Sequence, residues 1–442
     1  MKRSLLLSFL LLFGFCAAPM EAAGRLIVRV NGGLPVIKTA CLLVGCTVSE
    51  NIDGALGQLF LVTTPDSANV NAILTNLLNL TGVVDAELDL VAHVADSTTA
   101  MPPALLDRTP VAYYGSTVPN GYIHQPATDK IRLADIRSAY PNITGAGVVA
   151  VIDTGVDPNH PALAGVLLPG YDFTRNQQGA DETKDVTLSA PPVVNGAQGA
   201  WVRGNGYGDV SQSTAAVVDQ STAAVVDGNP QYSDFGHGTM VTGLIHLVAP
   251  TVKILPLKAF HSDGTGYTSD ILRAIYRALL VHANVLNMSF NLASYSREIA
   301  TALDLGTTTG TISIAAAGNS GKNTLVYPAG LWDVIGVAST TNDDQLSSFS
   351  NYGQQLVWVA APGEGVVTTY PFSTYAAGWG TSFSTPLTSG AAALLVNVDG
   401  LCDQMTSADA TSHAQPIDSN AGHGRLDLYQ TVQAWSQAVG GH

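Results

Sequence analysis

From about residue 148 onward the chain carries a series of short, largely apolar runs, and this pattern restricts the fold more than any other feature. The runs are Val148–Ile152, Lys253–Ala259, Val285–Phe290, Thr311–Ala316, Val334–Ala338 and Leu356–Ala361. Each is too short for a core helix. A strand that is apolar on both faces must be covered on both faces, which is the situation of a parallel sheet between helices. Between two of the runs, Ile271, Ile275 and Leu279 recur at helical spacing. The expected fold is therefore three-layer α/β/α with a mostly parallel central sheet, and ligands on such sheets bind beyond the carboxyl ends of the strands.

The first residues have another character. Lys2 and Arg3 precede an apolar run from Leu5 to Phe15, followed by Ala17, Ala18, Ala22 and Ala23. A basic start, a short apolar stretch and a small-residue exit describe a secretory signal peptide over 1–23, and the run is too short to span a bilayer comfortably. Secretion is expected, to the exterior or to the periplasm of a Gram-negative host. No later segment is apolar enough to span a membrane. Residues 24–95 read as a separate α+β unit. Arg25–Val30 and Leu59–Thr63 look like strands, Ala68–Leu80 like a helix (Val70, Ile73, Leu74, Leu77), and Val83–Val94 like strand again. Residues 96–128 lose periodicity and carry Pro102, Pro103, Pro110 and Pro119, as a linker would. The main domain then runs over 129–439, with a polar insert at about 175–230 in which QSTAAVVD occurs twice in succession, at 212–219 and 220–227. A duplicated surface loop is the expectation there.

Composition narrows the partners. Only 12% of residues are charged and the net charge is −15, which excludes nucleic acid, since phosphate binding needs clustered Lys and Arg. Cys16 leaves with the signal peptide; Cys41 and Cys46 are close enough to pair in an oxidising compartment, and Cys402 remains single. No CxxC pattern exists for a cysteine metal site.

Three segments each place one reactive side chain in a short Gly-containing turn. In VIDTGVDPNHP (151–161) an apolar strand ends on Asp153, while Asp157 before Pro158 reads as a helix cap. In GHGTMVTGLI (236–245) His237 stands between two glycines that let other groups approach the ring closely. In GTSFSTPLTSGAAALL (380–395) Ser382 falls just before a helix opened by Pro386, with Ser384 or Thr385 available as caps. A serine hydroxyl needs a base within hydrogen-bond reach, and that base needs an orienting acceptor. Asp153, His237 and Ser382 supply these roles in the order Asp…His…Ser. There is no GxSxG elbow, because position 384 is Ser.

Together these three segments resemble the Asp, His and Ser motifs of the subtilisin-like (subtilase) family, from about Lys130 to about Gln437. The resemblance implies a serine endopeptidase acting through an acyl-enzyme on Ser382, with His237 as general base and Asp153 orienting it. AAAGNSG (315–321) resembles the family's oxyanion segment, which makes Asn319 an oxyanion donor beside the Ser382 N–H and puts Ala316, Ala317 and Gly318 at the substrate. Gly264, Thr265 and Gly266 resemble one substrate-binding strand. Ser289, Phe290 and Asn291 resemble the other, but relatives usually carry Ser-Leu-Gly there. Polypeptide substrates would bind as extended strands. The unit at 24–95 resembles these enzymes' propeptide, an intramolecular inhibitor removed by self-cleavage within 95–128. A monomer is expected, and no cofactor is needed for the chemistry. The resemblance also brings structural calcium as an expectation without assigned ligands; Asp181, Glu182 and Asp185 are the candidates, beside the plainer reading of a solvated acidic loop.

Overall fold

The computed structural model describes residues 24–66, 68–93, 102–186, 216–217, 232–400 and 402–440. The expected signal peptide and most of the repeated insert lie outside these residues. The N-terminal unit is a four-stranded antiparallel sheet in the order β2-β3-β1-β4, from Arg25–Val30 (β1), Thr47–Asn51 (β2), Leu59–Thr63 (β3) and Val83–Leu88 (β4). Helices Gly33–Val44 (α1) and Val70–Leu78 (α2) complete a split β-α-β arrangement. Strand periodicity of two divides β1 between two cores. Leu26 and Val28 pack with Ile37 and Leu77 inside the unit, whereas Ile27 packs with Phe260, Ile271 and Ile275 of the main domain.

The sequence reading of this unit lacks α1 and β2. Helix α1 buries Ile37 and Cys41 but leaves Leu42 and Leu43 at 86% and 69% exposure, so its apolar residues show no single face. Pro35 sits in its first turn, where the missing N–H is harmless. Cys41 and Cys46 close a disulfide at its carboxyl end.

Val91–His93 (β5) leaves the N-terminal sheet and pairs elsewhere, as described below. The segment expected as a linker is built into the main domain from Pro102 onward. Pro110–Tyr113 (β6) and Ser116–Pro119 (β7) form a hairpin, and Leu105, Tyr113, Val118 and Tyr122 are buried in the main core. The prolines that suggested a linker stand where no backbone N–H is needed: Pro103 opens a 3₁₀ turn, and Pro110 and Pro119 face each other at the open end of the hairpin.

All six apolar runs become strands of one eight-stranded sheet. It contains Val148–Asp153 (β8), Tyr171–Asp172 (β9), Gln177–Gln178 (β10), Lys253–Lys258 (β12), Val285–Met288 (β14), Ile312–Ala316 (β15), Ile335–Thr340 (β16) and Val359–Pro362 (β17), in the order β10-β9-β12-β8-β14-β15-β16-β17. Every pairing is parallel except β9 with β10. Ala216–Val217 (β11), from the insert, joins Val366–Tyr370 (β18) and Thr374–Gly378 (β19) in a small second sheet. Thr265–Tyr267 (β13) lies outside both. Helices His237–Val248 (α3) and Thr381–Val398 (α6) share one apolar core. Helices Thr268–Leu280 (α4) and Arg297–Thr308 (α5) bury their apolar residues in the other. The three layers expected from the sequence are thus present.

The hairpin is pinned to α3 by polar contacts inside apolar surroundings. Tyr113 donates its hydroxyl to the Leu247 carbonyl at 2.8 Å, and Arg137 donates to both Leu247 and Tyr113. The His246 ring meets the Tyr113 ring edge-on at 5.4 Å. Burial, reinforced by the Arg137 charge, pushes His246 down from 6.5 to about 4. The unfolded chain takes up this proton near 6.5 and the folded chain only near 4, so stability falls as the pH drops between those values. At about 1.4 kcal/mol per pH unit the loss approaches roughly 3 kcal/mol. Thermal unfolding between pH 4 and 7 should therefore show a steeper acid decline for wild type than for His246→Phe. Parallel declines would show that another group is titrating.

Candidate active site

The sheet brings the three motif residues to one edge. Asp153 is the last residue of β8, His237 the first of α3 and Ser382 the second of α6. The His237 Nδ1 lies 2.7 Å from Asp153 Oδ1, which also accepts the Thr154 N–H at 2.7 Å. Both side chains are buried. The His237 ring lies 5.7 Å from the ring of Phe383, the neighbour of Ser382. Ser382 Oγ donates to the Ser289 carbonyl at 3.1 Å, and Ser289 Oγ donates to the Ser382 carbonyl at 3.0 Å.

Pro386 explains the second of these bonds. It does not open the helix, as expected from the sequence, but lies inside it, because α6 begins at Thr381. Proline has no N–H for the carbonyl four residues earlier, which belongs to Ser382. That carbonyl takes the Ser289 hydroxyl instead. Ser289 Oγ in turn accepts from Asn287 Nδ2, and Asn287 Oδ1 accepts from Ser389. The first turn of α6 is thereby fixed against the end of β14.

A fully buried carboxylate ties the other two motifs together. Glu182 accepts from Thr154 Oγ1 at 2.8 Å, from the Gly236 N–H at 3.1 Å, from the Thr239 N–H at 3.0 Å and from Thr239 Oγ1. Thr154 Oγ1 also accepts the Gly238 N–H at 2.9 Å. The first N–H groups of a helix have no partner within it. Gly236, the N-cap of α3, has no side chain to offer, so Glu182 and Thr154 supply the acceptors. Burial holds the Glu182 carboxyl above its usual range, against the pull of Thr239, Thr154 and Lys258. Lys258, opposite Asp153 in the β12–β8 ladder, is buried as well; its ammonium donates to the Thr154 and Phe260 carbonyls and to Asp185. Burial pushes it down to about 8.

These contacts overturn the reading of Asp181, Glu182 and Asp185 as a solvated acidic loop. Asp185 pairs with Lys258 and Arg175, and Asp181 caps its own turn through Thr183. With Glu182 saturated by four protein donors, the three do not fit a calcium site. Sequence reasoning missed Glu182 and Lys258 as parts of the centre, because neither lies in a motif.

Asn319 follows β15. Its Oδ1 accepts both the Thr381 N–H at 2.9 Å and the Thr381 hydroxyl at 2.8 Å, which turns the amide nitrogen the other way. Gly318 donates its N–H to Thr381 Oγ1 at 3.1 Å. Ala316 and Ala317 are buried, and the Ala317 carbonyl accepts from Asn351 Nδ2 at 3.0 Å. Gly264 cannot carry a side chain: its φ is +77° and a Cβ would meet Asp234 Oδ2 at 2.4 Å. Gly264 leads into β13, whose residues Thr265, Gly266 and Tyr267 pair antiparallel with His93, Ala92 and Val91 of β5. Phe290 lies apart from this surface, buried against Phe260 with ring centroids 4.9 Å apart. Asn291 is at the surface of the site, beside Gly318.

Comparison with known proteins shows the family of the chain. The subtilase family model matches residues 145–424, more than half of the chain. Thermitase of Thermoactinomyces vulgaris is 32% identical over 293 residues, which are 65% of this chain and 90% of thermitase. Subtilisin BL of Lederbergia lenta is 37% identical over 178 residues, 38% of this chain and 66% of that protein. Fervidolysin of Fervidobacterium pennivorans, described as a keratinolytic enzyme related to subtilisin, has a likeness of fold. It matches with a TM-score of 0.70 at 20% identity, over 93% of this chain and 61% of that one. The family match over the very residues that carry Asp153, His237, Asn319 and Ser382 places the chain in the subtilase family of serine proteases.

Proposed function

We propose that the protein is a secreted serine endopeptidase made as a self-processed zymogen. The observation that carries this reading is the buried Asp153–His237 hydrogen bond of 2.7 Å beside the helix start that bears Ser382. His237 Nε2 takes the Ser382 proton as Oγ attacks the peptide carbonyl. Asp153 holds the Nδ1–H and stabilises the imidazolium. The oxyanion is received by the Asn319 amide, aimed by its two bonds from Thr381, and by the Ser382 N–H at the amino end of α6. The C–N bond then breaks, the amine leaves with the proton from His237, and water repeats the sequence on the acyl-enzyme. No cofactor enters these steps.

The N-terminal unit supports a zymogen. Its strand β5 lies antiparallel on β13, the geometry of an extended peptide added to a strand edge. Arg29 is paired with Glu298, Arg25 stacks over Tyr267, and Asp89 accepts from the Ser269 N–H in the first turn of α4 at 2.8 Å. Among the described residues, no helix is long and apolar enough to cross a membrane.

Two lines of experiment test the reading, the first by substitution and the second by the mature amino terminus. Ser382→Ala should abolish casein cleavage by about 10⁴-fold or more and leave the chain unprocessed, and Asn319→Leu should lower kcat by about 10²–10³ with little change in KM. Second, the chain is held on β13 up to His93 and belongs to the main domain from Pro102, which lies against Gly365. Amino-terminal sequencing of the mature protein should thus find a start between residues 94 and 102. A start beyond Tyr113 would remove the hairpin and contradict this assignment.

A further inference from the structure

We infer that Asn291 and Val326 fill the space beside Ser382 that receives the side chain preceding the cut bond, so that the enzyme accepts small residues there. This rests on the roles proposed for Ser382 and Asn319. In the acyl-enzyme the carbonyl carbon is bonded to Ser382 Oγ and its oxygen turns toward Asn319. The P1 Cα is one bond further on. Its side chain must therefore enter between two walls. One is the segment Ser289–Asn291, whose Ser289 carbonyl is 3.1 Å from Ser382 Oγ. The other is Ala317–Gly318, which leads into Asn319 and is tied to Thr381.

The distances around Gly318 show how little room remains. A Cβ placed on Gly318 would lie 3.3 Å from Asn291 Nδ2, 3.5 Å from Val326 Cγ2 and 2.7 Å from Asn351 Nδ2. The Asn291 amide thus reaches from one wall to the other, and Val326 closes the space beside it. The backbones that carry them are fixed to each other. Leu292 and Tyr327, their chain neighbours, exchange backbone hydrogen bonds of 2.6 and 2.9 Å, which lock the two segments together. Asn351 is held by the Ala317 carbonyl and by the Ser320 and Lys322 N–H groups. The departure from the family pattern at 290–291 therefore acts through Asn291, since Phe290 is turned into the core.

The chain's own leader agrees independently. Starts between residues 94 and 102 correspond to cuts after residues 93–101, which are His, Val, Ala, Asp, Ser, Thr, Thr, Ala and Met; from Val94 to Ala100 there is no aromatic, basic or long apolar side chain. A bond cut after any residue from Val94 to Ala100 presents a short P1 side chain.

The test uses mature enzyme from the full chain and peptide anilides that differ only at P1, as Ala, Leu or Phe. Wild type should cleave the Ala substrate with a kcat/KM about 100-fold above the Phe substrate, within the roughly 10–200-fold by which a pocket discriminates side chains that differ in bulk. In Asn291→Gly the Phe/Ala ratio should rise at least tenfold, and Val326→Ala should move it in the same direction. A wild-type preference for Phe or Leu overturns the inference, as does a ratio unmoved in both variants. The wild-type profile decides alone if neither variant matures. Hydrolysis of casein with no P1 selectivity would sink the inference and leave the peptidase reading intact. Failure to cleave any anilide or casein would sink that reading itself.

Discussion

A single buried carboxylate, that of Glu182, holds together the two halves of the centre that come from opposite ends of a long insert. Burying a charge is costly unless it is fully paired. Glu182 meets that condition with two backbone N–H groups and two threonine hydroxyls. What it gains for the protein is position. The donors flank His237 on both sides and reach Thr154, the neighbour of Asp153. The 2.7 Å contact between His237 and Asp153 therefore inherits its geometry from a residue that binds the chain on both sides of His237 and next to Asp153. Hydrogen bonds to a charged group are worth about 1.5–3 kcal/mol each, and losing the acceptor would leave the amino end of α3 buried and unsatisfied.

The serine side of the centre is fixed by a different device. Pro386 releases the Ser382 carbonyl from the helix ladder, and Ser289 takes it up. Because Ser289 continues β14, the nucleophile candidate is referred to the same sheet that carries Asp153. Asn319 is referred to it too, through β15 and through its two bonds from Thr381. Each group thus hangs on a rigid strand end and is trimmed by one or two polar contacts to its neighbour.

The N-terminal unit docks on that frame through charge and alternation together. Odd and even residues of β1 serve two cores, so the unit cannot shift by one residue without exposing both sets. Its acidic residues occupy the amino ends of main-domain helices: Asp89 at α4, and Glu87 at the Ser296–Arg297 start of α5. Tyr267, the N-cap of α4, has no side-chain acceptor of its own to offer that helix. Docking therefore completes helix ends and covers β13 in one event. The glutamate at α5 is pushed up to about 7 by burial, so its docked form carries part of its proton near neutrality.

Local chemistry made the main domain legible. Runs such as Val148–Ile152 are apolar on both faces, and only a covered parallel sheet suits them; glycine-flanked His237 and the order Asp…His…Ser pointed to one centre. The sequence was weaker wherever a residue's environment depended on distant chain. Helix α1 showed no face because Leu42 and Leu43 are exposed, and the prolines of 102–119 looked like a linker although they sit at hairpin and turn ends. Glu182 read as one more solvated acid in a polar insert. By itself, then, the sequence determined the sheet, its layers and the candidates for the reactive side chains, because those follow from period, turn chemistry and motif. Only the tertiary structure decided that Glu182 is a buried clamp, that Phe290 turns inward and that Asn291 crosses to Gly318. Burial and hydrogen-bond partners come from chain segments far apart in sequence, and no local pattern records them.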